Sequence, residues 1–300
     1  MPYATAGDGT RLHYQVTGRP GAPPVLFIQG LGADKHMWNF QRFGLAWSYR
    51  AYALDNRGVG RSDKPPGPYS LTQMADDAVA VLDHAGLDTV HVVGASMGGA
   101  IAQIIALTHP QRVRSLTLAC TACRNHPWRR ELLAGWAEQA NARGLGTMTH
   151  EAARWVIGPR SFRRLMPALA WLGPLAFGGP AHGFTAQVEA ILAADDTMAD
   201  RLGGIEIPTL VVVGNQDILT PRGDSEELAD LIPTAELVVI SGAAHGLMVE
   251  HATTFNRILR DFLGRAESAS HRRDLAGAEA VDRAVVPADE AEELGERLGG

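Results

Sequence analysis

Four short apolar runs, "PPVLFIQG" (23–30), "YRAYALD" (49–55), "VHVVGAS" (90–96) and "VRSLTLACT" (113–121), alternate with stretches of helical periodicity. Runs of this length, bounded by Gly, Pro and polar residues, read as buried strands. Their alternation with helices predicts an α/β fold: a mostly parallel sheet with helices on both faces. Residues 3–17 differ, reading as two short strands around "DGT", an antiparallel edge. The first long helix begins after Ser70, a candidate N-cap, keeps Leu71, Met74, Val79, Val81 and Leu82 on one side, and stops at Gly86. A second follows directly on Ser96 and ends by Pro110. From 205 to 264 the rhythm resumes with "IPTLVVVGNQD", "SEELADLI", "AELVVISGAAH" and "TTFNRILRDFL".

The beat is broken between 124 and 204. That segment carries four of the six tryptophans (Trp128, Trp136, Trp155, Trp171) and no strand-like run, so it reads as a helical insertion. Its most apolar part, "LMPALAWLGPLAF" (165–177), contains two prolines and falls short of the ~20 residues a spanning helix needs, which argues against stable membrane insertion. The expected organisation is a core of residues 1–123 and 205–264, an insertion of 124–204, and a tail of 265–300. Rich in Ala, Gly and charge and lacking aromatics, that tail reads as disordered or loosely helical.

Composition narrows the function. The chain has 27 Lys and Arg against 33 Asp and Glu, and no basic stripe that would neutralise several phosphates, so nucleic acid is not an expected partner. The opening "MPYATAGDGTRLHY" lacks the charged and then apolar pattern of a signal, giving a cytoplasmic expectation. Cys120 and Cys123 form a C-x-x-C, but Cys120 ends a strand instead of opening a helix, and a zinc site needs further ligands. Two buried thiols are the expectation, with no metal. Nothing resembles a phosphate-binding loop, so no cofactor is expected either, and the oligomeric state is not legible.

The candidate chemistry centres on "VVGASMGGA" (92–100). With 33 glycines in 300 residues, a chance G-x-S-x-G arises in roughly one such sequence in ten, so context must decide. Strand, sharp turn and helix occur here in order, and Gly94 and Gly98 keep the reversal around Ser96 free of side chains. A serine hydroxyl is a weak nucleophile and needs a base, itself oriented by an acid. Asp217 and His245 stand just past the ends of two later strands, in the order Ser, Asp, His. Asp55, Arg57 and Gly60 read as shaping a loop, without chemistry.

Together, "QGLG" (29–32), "DNRGVGRS" (55–62), "GASMG" and the pair "GNQDILTP" and "GAAHGLMVE" make residues 8–264 resemble the α/β-hydrolase superfamily. The branch it looks like contains 3-oxoadipate enol-lactonases, small carboxylesterases and cofactor-free haloperoxidase-like enzymes. The resemblance implies that Ser96 attacks an acyl carbon, His245 moves the proton and Asp217 orients it. It also implies that the backbone N–H groups of Leu31 and Met97 hold the oxyanion. Gln29 stands where the family often has His. The insertion resembles a cap, with Trp155, Leu165, Met166, Trp171, Leu172, Leu175 and Phe177 as candidates for the pocket wall. Arg160, Arg163 and Arg164 read as a solvated face. The implied activity is hydrolysis of a small carboxylic ester or lactone. C–C bond hydrolysis and perhydrolysis on the same triad remain alternatives, as does a non-catalytic binding protein.

Overall fold

The computed structural model describes residues 2–163, 180–194 and 196–284, with 148–150 and 273–284 described in backbone only. Its strands are β1 (Tyr3–Thr5), β2 (Arg11–Thr17), β3 (Pro24–Ile28), β4 (Arg50–Leu54), β5 (Val90–Ala95), β6 (Val113–Ala119), β7 (Thr209–Gly214) and β8 (Ala235–Ile240). They form one sheet in the order β1-β2-β4-β3-β5-β6-β7-β8. The β1–β2 and β2–β4 pairs are antiparallel, and every other pair is parallel.

The helices used below are α1 (Asn39–Gly44), α2 (Leu71–His84), α3 (Met97–Thr108), α4 (Pro127–Arg143), α5 (Thr149–Val156), α6 (Ala181–Ala193), α7 (Arg222–Leu231) and α8 (Ala252–Ala284). Because side chains alternate along a strand, β3 divides its residues between two cores. Leu26 and Ile28 join the core under α2, α3 and α7, while Val25 and Phe27 join the core under α8. The Ser70 hydroxyl accepts from Gln73 N at 3.0 Å and caps α2, and Gly86 ends it at φ +65°. Among the described residues no helix is long and apolar enough to cross a membrane.

The helix α8 runs unbroken through the expected tail boundary at 265 to Ala284. Residues 285–300 lie outside the described residues. Glu267, past the expected end of the core, accepts from His91 Nε2 at 2.9 Å and from Arg114 Nη1 at 2.6 Å. His91 belongs to the central strand β5, is fully buried, and meets Ser115 Oγ at 2.7 Å through its other ring nitrogen. Charge and alanine content hide such a contact in the sequence, because its polar partners sit inside strands.

The loop after β4 is a charge clamp. Asp55 is fully buried and accepts from Lys35 N (2.9 Å), Lys35 Nζ (2.7 Å) and Arg61 N (3.0 Å), with His13 Nδ1 at 3.1 Å. Burial pushes its carboxyl up, but the Lys35 and Arg61 donors outweigh burial and hold it below the usual range. Arg57 grips Asp77 through two bonds of 2.6 Å and Asp8 at 2.9 Å. At Gly60, φ is +55° and a Cβ would stand 2.4 Å from the Asp55 carboxyl carbon. These contacts are structural, as expected of that loop.

The hydrogen bond from His91, followed by that from Arg114, holds the Glu267 carboxyl down to about 2, against burial. A carboxyl depressed in the fold stabilises it fully above the ordinary value of 4.5, and that contribution fades as pH falls toward about 2. Glu267→Gln should lower unfolding free energy at neutral pH by about 1–2 kcal/mol, measured by urea titration. The difference between wild type and variant should shrink as pH falls below 4.5.

Candidate active site

The strand β5 ends at Ala95 and α3 starts at Met97, which leaves Ser96 alone to reverse the chain, at φ 54° and ψ −121°. This is the left-handed region that a residue with a Cβ rarely adopts, at a cost of about 1–3 kcal/mol. The surroundings enforce it. Ser96 N donates to Ala119 O at 3.0 Å, and Thr121 Oγ1 donates to Ser96 O at 2.7 Å. A Cβ at Gly94 would lie 2.2 Å from Gly98 O, and one at Gly98 would lie 2.2 Å from Ile28 O. The two glycines therefore let β5, α3 and the end of β3 meet backbone to backbone, and the Ser96 side chain emerges partly exposed.

Asp217 follows β7 and His245 follows β8. His245 Nδ1 lies 2.9 Å from Asp217 Oδ2, and both residues are buried. A carboxylate only accepts, so the Nδ1 atom carries the proton and Nε2 is left as the basic nitrogen. The other Asp217 oxygen accepts from Leu219 N and Thr220 N, each at 2.9 Å. Thr220 Oγ1 donates to Asp217 Oδ2 at 2.9 Å and stands 3.2 Å from His245 Nδ1. Burial pushes the Asp217 carboxyl up, yet His245 and the Thr220 donors prevail and hold it below the usual carboxylate range. It stays charged beside the imidazole.

Ser96 and His245 line one cavity of ≈ 430 Å³, together with Gly30, Leu31 and Met97. Among the described residues, neither the Leu31 nor the Met97 N–H donates to a protein acceptor. Met97 opens α3, where the first N–H groups have no carbonyl a turn back and the helix dipole favours negative charge. The Gln29 side chain accepts from Gly30 N at 3.1 Å, and Asn56 Nδ2 holds Gln29 O at 2.9 Å. Gln29 thereby braces the loop it belongs to.

Residues 23–144 match the model of the alpha/beta hydrolase fold family. The protein named 3-oxoadipate enol-lactonase 2 of Acinetobacter baylyi is 30% identical over 271 residues, 87% of this chain and 96% of that one. The chain belongs to the α/β-hydrolase family. RutD of Azorhizobium caulinodans, which bears the name of a carbamate hydrolase, is 30% identical over 89% of this chain and all of its own. A solved enol-lactonase from Burkholderia xenovorans LB400 superposes with a TM-score of 0.81 at 30% identity, over 88% of this chain and 100% of that one.

Helices α4, α5 and α6, from the segment expected as a cap, line the cavity. Leu133 and Trp136 of α4, Ala152, Ala153 and Val156 of α5, and Phe184 and Ile191 of α6 face the cavity. Gln187 ties α6 to two core loops, accepting from Gly32 N at 2.9 Å and donating to Arg57 O at 2.8 Å. Trp155, expected at the wall, stacks on Trp128 with centroids 6.2 Å apart, while Ala153 and Val156 line the cavity. On so short a helix a one-residue step turns a side chain by 100°, and tryptophan content alone does not set the phase. Trp171, Leu175 and Phe177, with Leu165, Met166 and Leu172, lie outside the described residues. Arg160 and Arg163 are exposed, and Arg164 is outside the described residues.

The sequence reading missed Thr220, and it read Cys120 as a buried thiol without placing it beside Asp217 and His245. Thr220 lies in "ILTP", three residues after the acid, and only its fold contact with His245 distinguishes it from a turn residue. The Cys120 donor atom shares a cluster within 4.8 Å with those of Asp217 and His245. Burial, with the Asp217 charge beside it, raises that thiol well above its ordinary range. It is therefore a thiol and not a thiolate, a neutral packing neighbour of the charged pair.

The elbow predicts opposite signs at two glycines. Gly98→Ala should destabilise the fold by about 3 kcal/mol or more, because its contact is backbone that cannot yield. Gly135→Ala, inside α4 with open space around it, should gain about 0.5–1 kcal/mol in the same urea titration.

Proposed function

We propose that this α/β-hydrolase is a serine hydrolase that cleaves small carboxylic esters or lactones through an acyl-enzyme. The observation that carries the reading is the strained Ser96 lining one cavity with a His245 whose Nδ1 is bonded to buried Asp217. Strain of this kind persists only where the surroundings over-determine it, and it concentrates at reacting groups. The enol-lactonase names carried by relatives at 30% identity support the same class of acyl substrate.

In this mechanism Ser96 Oγ attacks the acyl carbon while His245 Nε2 takes its proton. The carbonyl π pair moves to oxygen, and the N–H groups of Leu31 and Met97 receive the oxyanion. Collapse breaks the bond to the leaving oxygen, which takes the proton back from Nε2. In a lactone that oxygen remains tethered as the hydroxyl end of the acyl group. A water then repeats the sequence on the acyl-enzyme, with Nε2 again as base, and releases the acid and free Ser96. The mostly aliphatic and aromatic wall of α4, α5 and α6 favours an apolar acyl or alcohol group of medium length.

A panel of chromogenic esters from acetyl to octanoyl, with lactones and one aryl carbamate, tests both halves of the reading. Turnover should peak at intermediate length, and Ser96→Ala and His245→Ala should each lower kcat by on the order of 10⁴-fold or more. Near-normal turnover in Ser96→Ala would reject the mechanism, and a steady fall from acetyl to octanoyl would reject the pocket. Thr220→Val, which keeps the shape and removes the hydroxyl beside both Asp217 and His245, should cut kcat about tenfold and leave KM unchanged.

A further inference from the structure

The helix α1 is inside out. Its polar residues Gln41 and Arg42 are 0% and 1% exposed, whereas Phe40 and Phe43 are 56% and 62% exposed. Gln41 Nε2 is spent inward, on Met248 O at 2.7 Å and Asn256 Oδ1 at 3.0 Å, and the Arg42 guanidinium is spent on Asn39 Oδ1 and Thr17 Oγ1. Their anchoring turns the phenylalanines out. Met37, 39% exposed, precedes Phe40 by three residues, and Trp47, 80% exposed, follows Phe43 by four. Phe40 and Phe43 share one side of α1, and Met37 and Trp47 carry the spacing of three and four into the turns on either side of the helix, which makes one exposed ridge. Scattered exposed apolar residues need no explanation, but a contiguous ridge over a buried polar side does. Met37 also lines the cavity that holds Ser96, so the ridge begins at its mouth.

Arginines border the ridge. Arg19 Nη2 donates to Trp47 O at 2.9 Å, and Arg260 Nη2 donates to Gly44 O at 3.0 Å, which fixes both beside the apolar face. Among the described residues neither Arg19 nor Arg260 forms an ion pair. In a chain of net charge −6 these are two exposed cations beside the apolar side chains.

We propose that the ridge Met37, Phe40, Phe43 and Trp47, with Arg19 and Arg260 at its border, docks peripherally on an anionic lipid bilayer, holding the cavity mouth at that surface. Aromatic and aliphatic side chains seated at the level of the headgroups, flanked by arginines, suit such a surface. Area argues against a second copy as occupant. Four side chains of ~150–250 Å² each, partly exposed, offer about 450 Å², whereas a stable interface removes ~800 Å² from each partner. The inference does not rest on the catalytic reading, since its readout is binding.

The test is flotation of the full chain with vesicles of palmitoyl-oleoyl phosphatidylglycerol or of palmitoyl-oleoyl phosphatidylcholine, at low and high salt. Wild type should float with the phosphatidylglycerol vesicles at low salt, and less with phosphatidylcholine or at high salt. Phe43→Ser with Trp47→Ser should lower partitioning at least tenfold. Arg19→Gln with Arg260→Gln should lower it on phosphatidylglycerol by about 25-fold, about fivefold per arginine being the usual contribution. Unchanged cooperative unfolding in urea controls for folding of both variants. Failure of wild type to float with phosphatidylglycerol vesicles, or equal flotation of either double variant, would overturn the proposal. So would a wild-type dimer in light scattering that Phe43→Ser with Trp47→Ser converts to monomer, because the ridge would then belong to a second copy. Vesicle binding without ester hydrolysis would sink the catalytic reading alone, and hydrolysis without binding would sink this one alone.

Discussion

Three backbone segments meet at the end of β5 with no room between them for a methyl group. Gly94 rests on Gly98 O, Gly98 rests on the end of β3, and Ser96 is left to turn the chain at φ 54°. The loop at 29–32 and the start of α3 are consequently held side by side, and the strain at Ser96 is offset by its N–H donating to Ala119 O and its carbonyl accepting from Thr121 Oγ1. The sheet order sets the rest of the candidate site around that contact. β6 supplies the carbonyl that fixes the Ser96 N–H, and β7 and β8 lie next in order, each delivering one side chain past its C-terminal end.

Electrostatics then fixes proton positions. Asp217 receives two backbone N–H groups and the Thr220 hydroxyl before it meets His245, so its charge is prepared by the fold and held against burial. The same solution recurs in two structural places. Asp55 is buried among Lys35, Arg61 and His13, and Glu267 is held by His91 and Arg114. In each case a carboxylate is kept ionised by donors that arrive from separate elements, which locks a loop or a helix to the sheet.

The sheet and the elbow were legible because they rest on local rules: runs of apolar residues, Gly beside Ser96, and Ser70 before a helical pattern. Asp217 and His245 were expected together because each stands a few residues past a strand-like run, and in the fold they lie 2.9 Å apart past β7 and β8. Long-range partners were not. Nothing near Glu267 signals that it reaches His91 across 176 positions. Trp155 was expected at the cavity wall on its size, but the phase of α5 presents Ala153 and Val156 there and stacks Trp155 on Trp128. Helix α1 defeats pattern reading altogether, since its polar residues face the core and its aromatics face solvent.

Ser96 as the residue that carries the acyl group is the central claim, and covalent trapping reads it directly. After treatment with a fluorophosphonate, intact mass should rise by a single adduct, and peptide mapping should place it on Ser96. The adduct should be absent from Ser96→Ala, and esterase activity should vanish in proportion to labelling. Full labelling at another residue, or an unlabelled Ser96 in protein that still hydrolyses esters, would contradict the account.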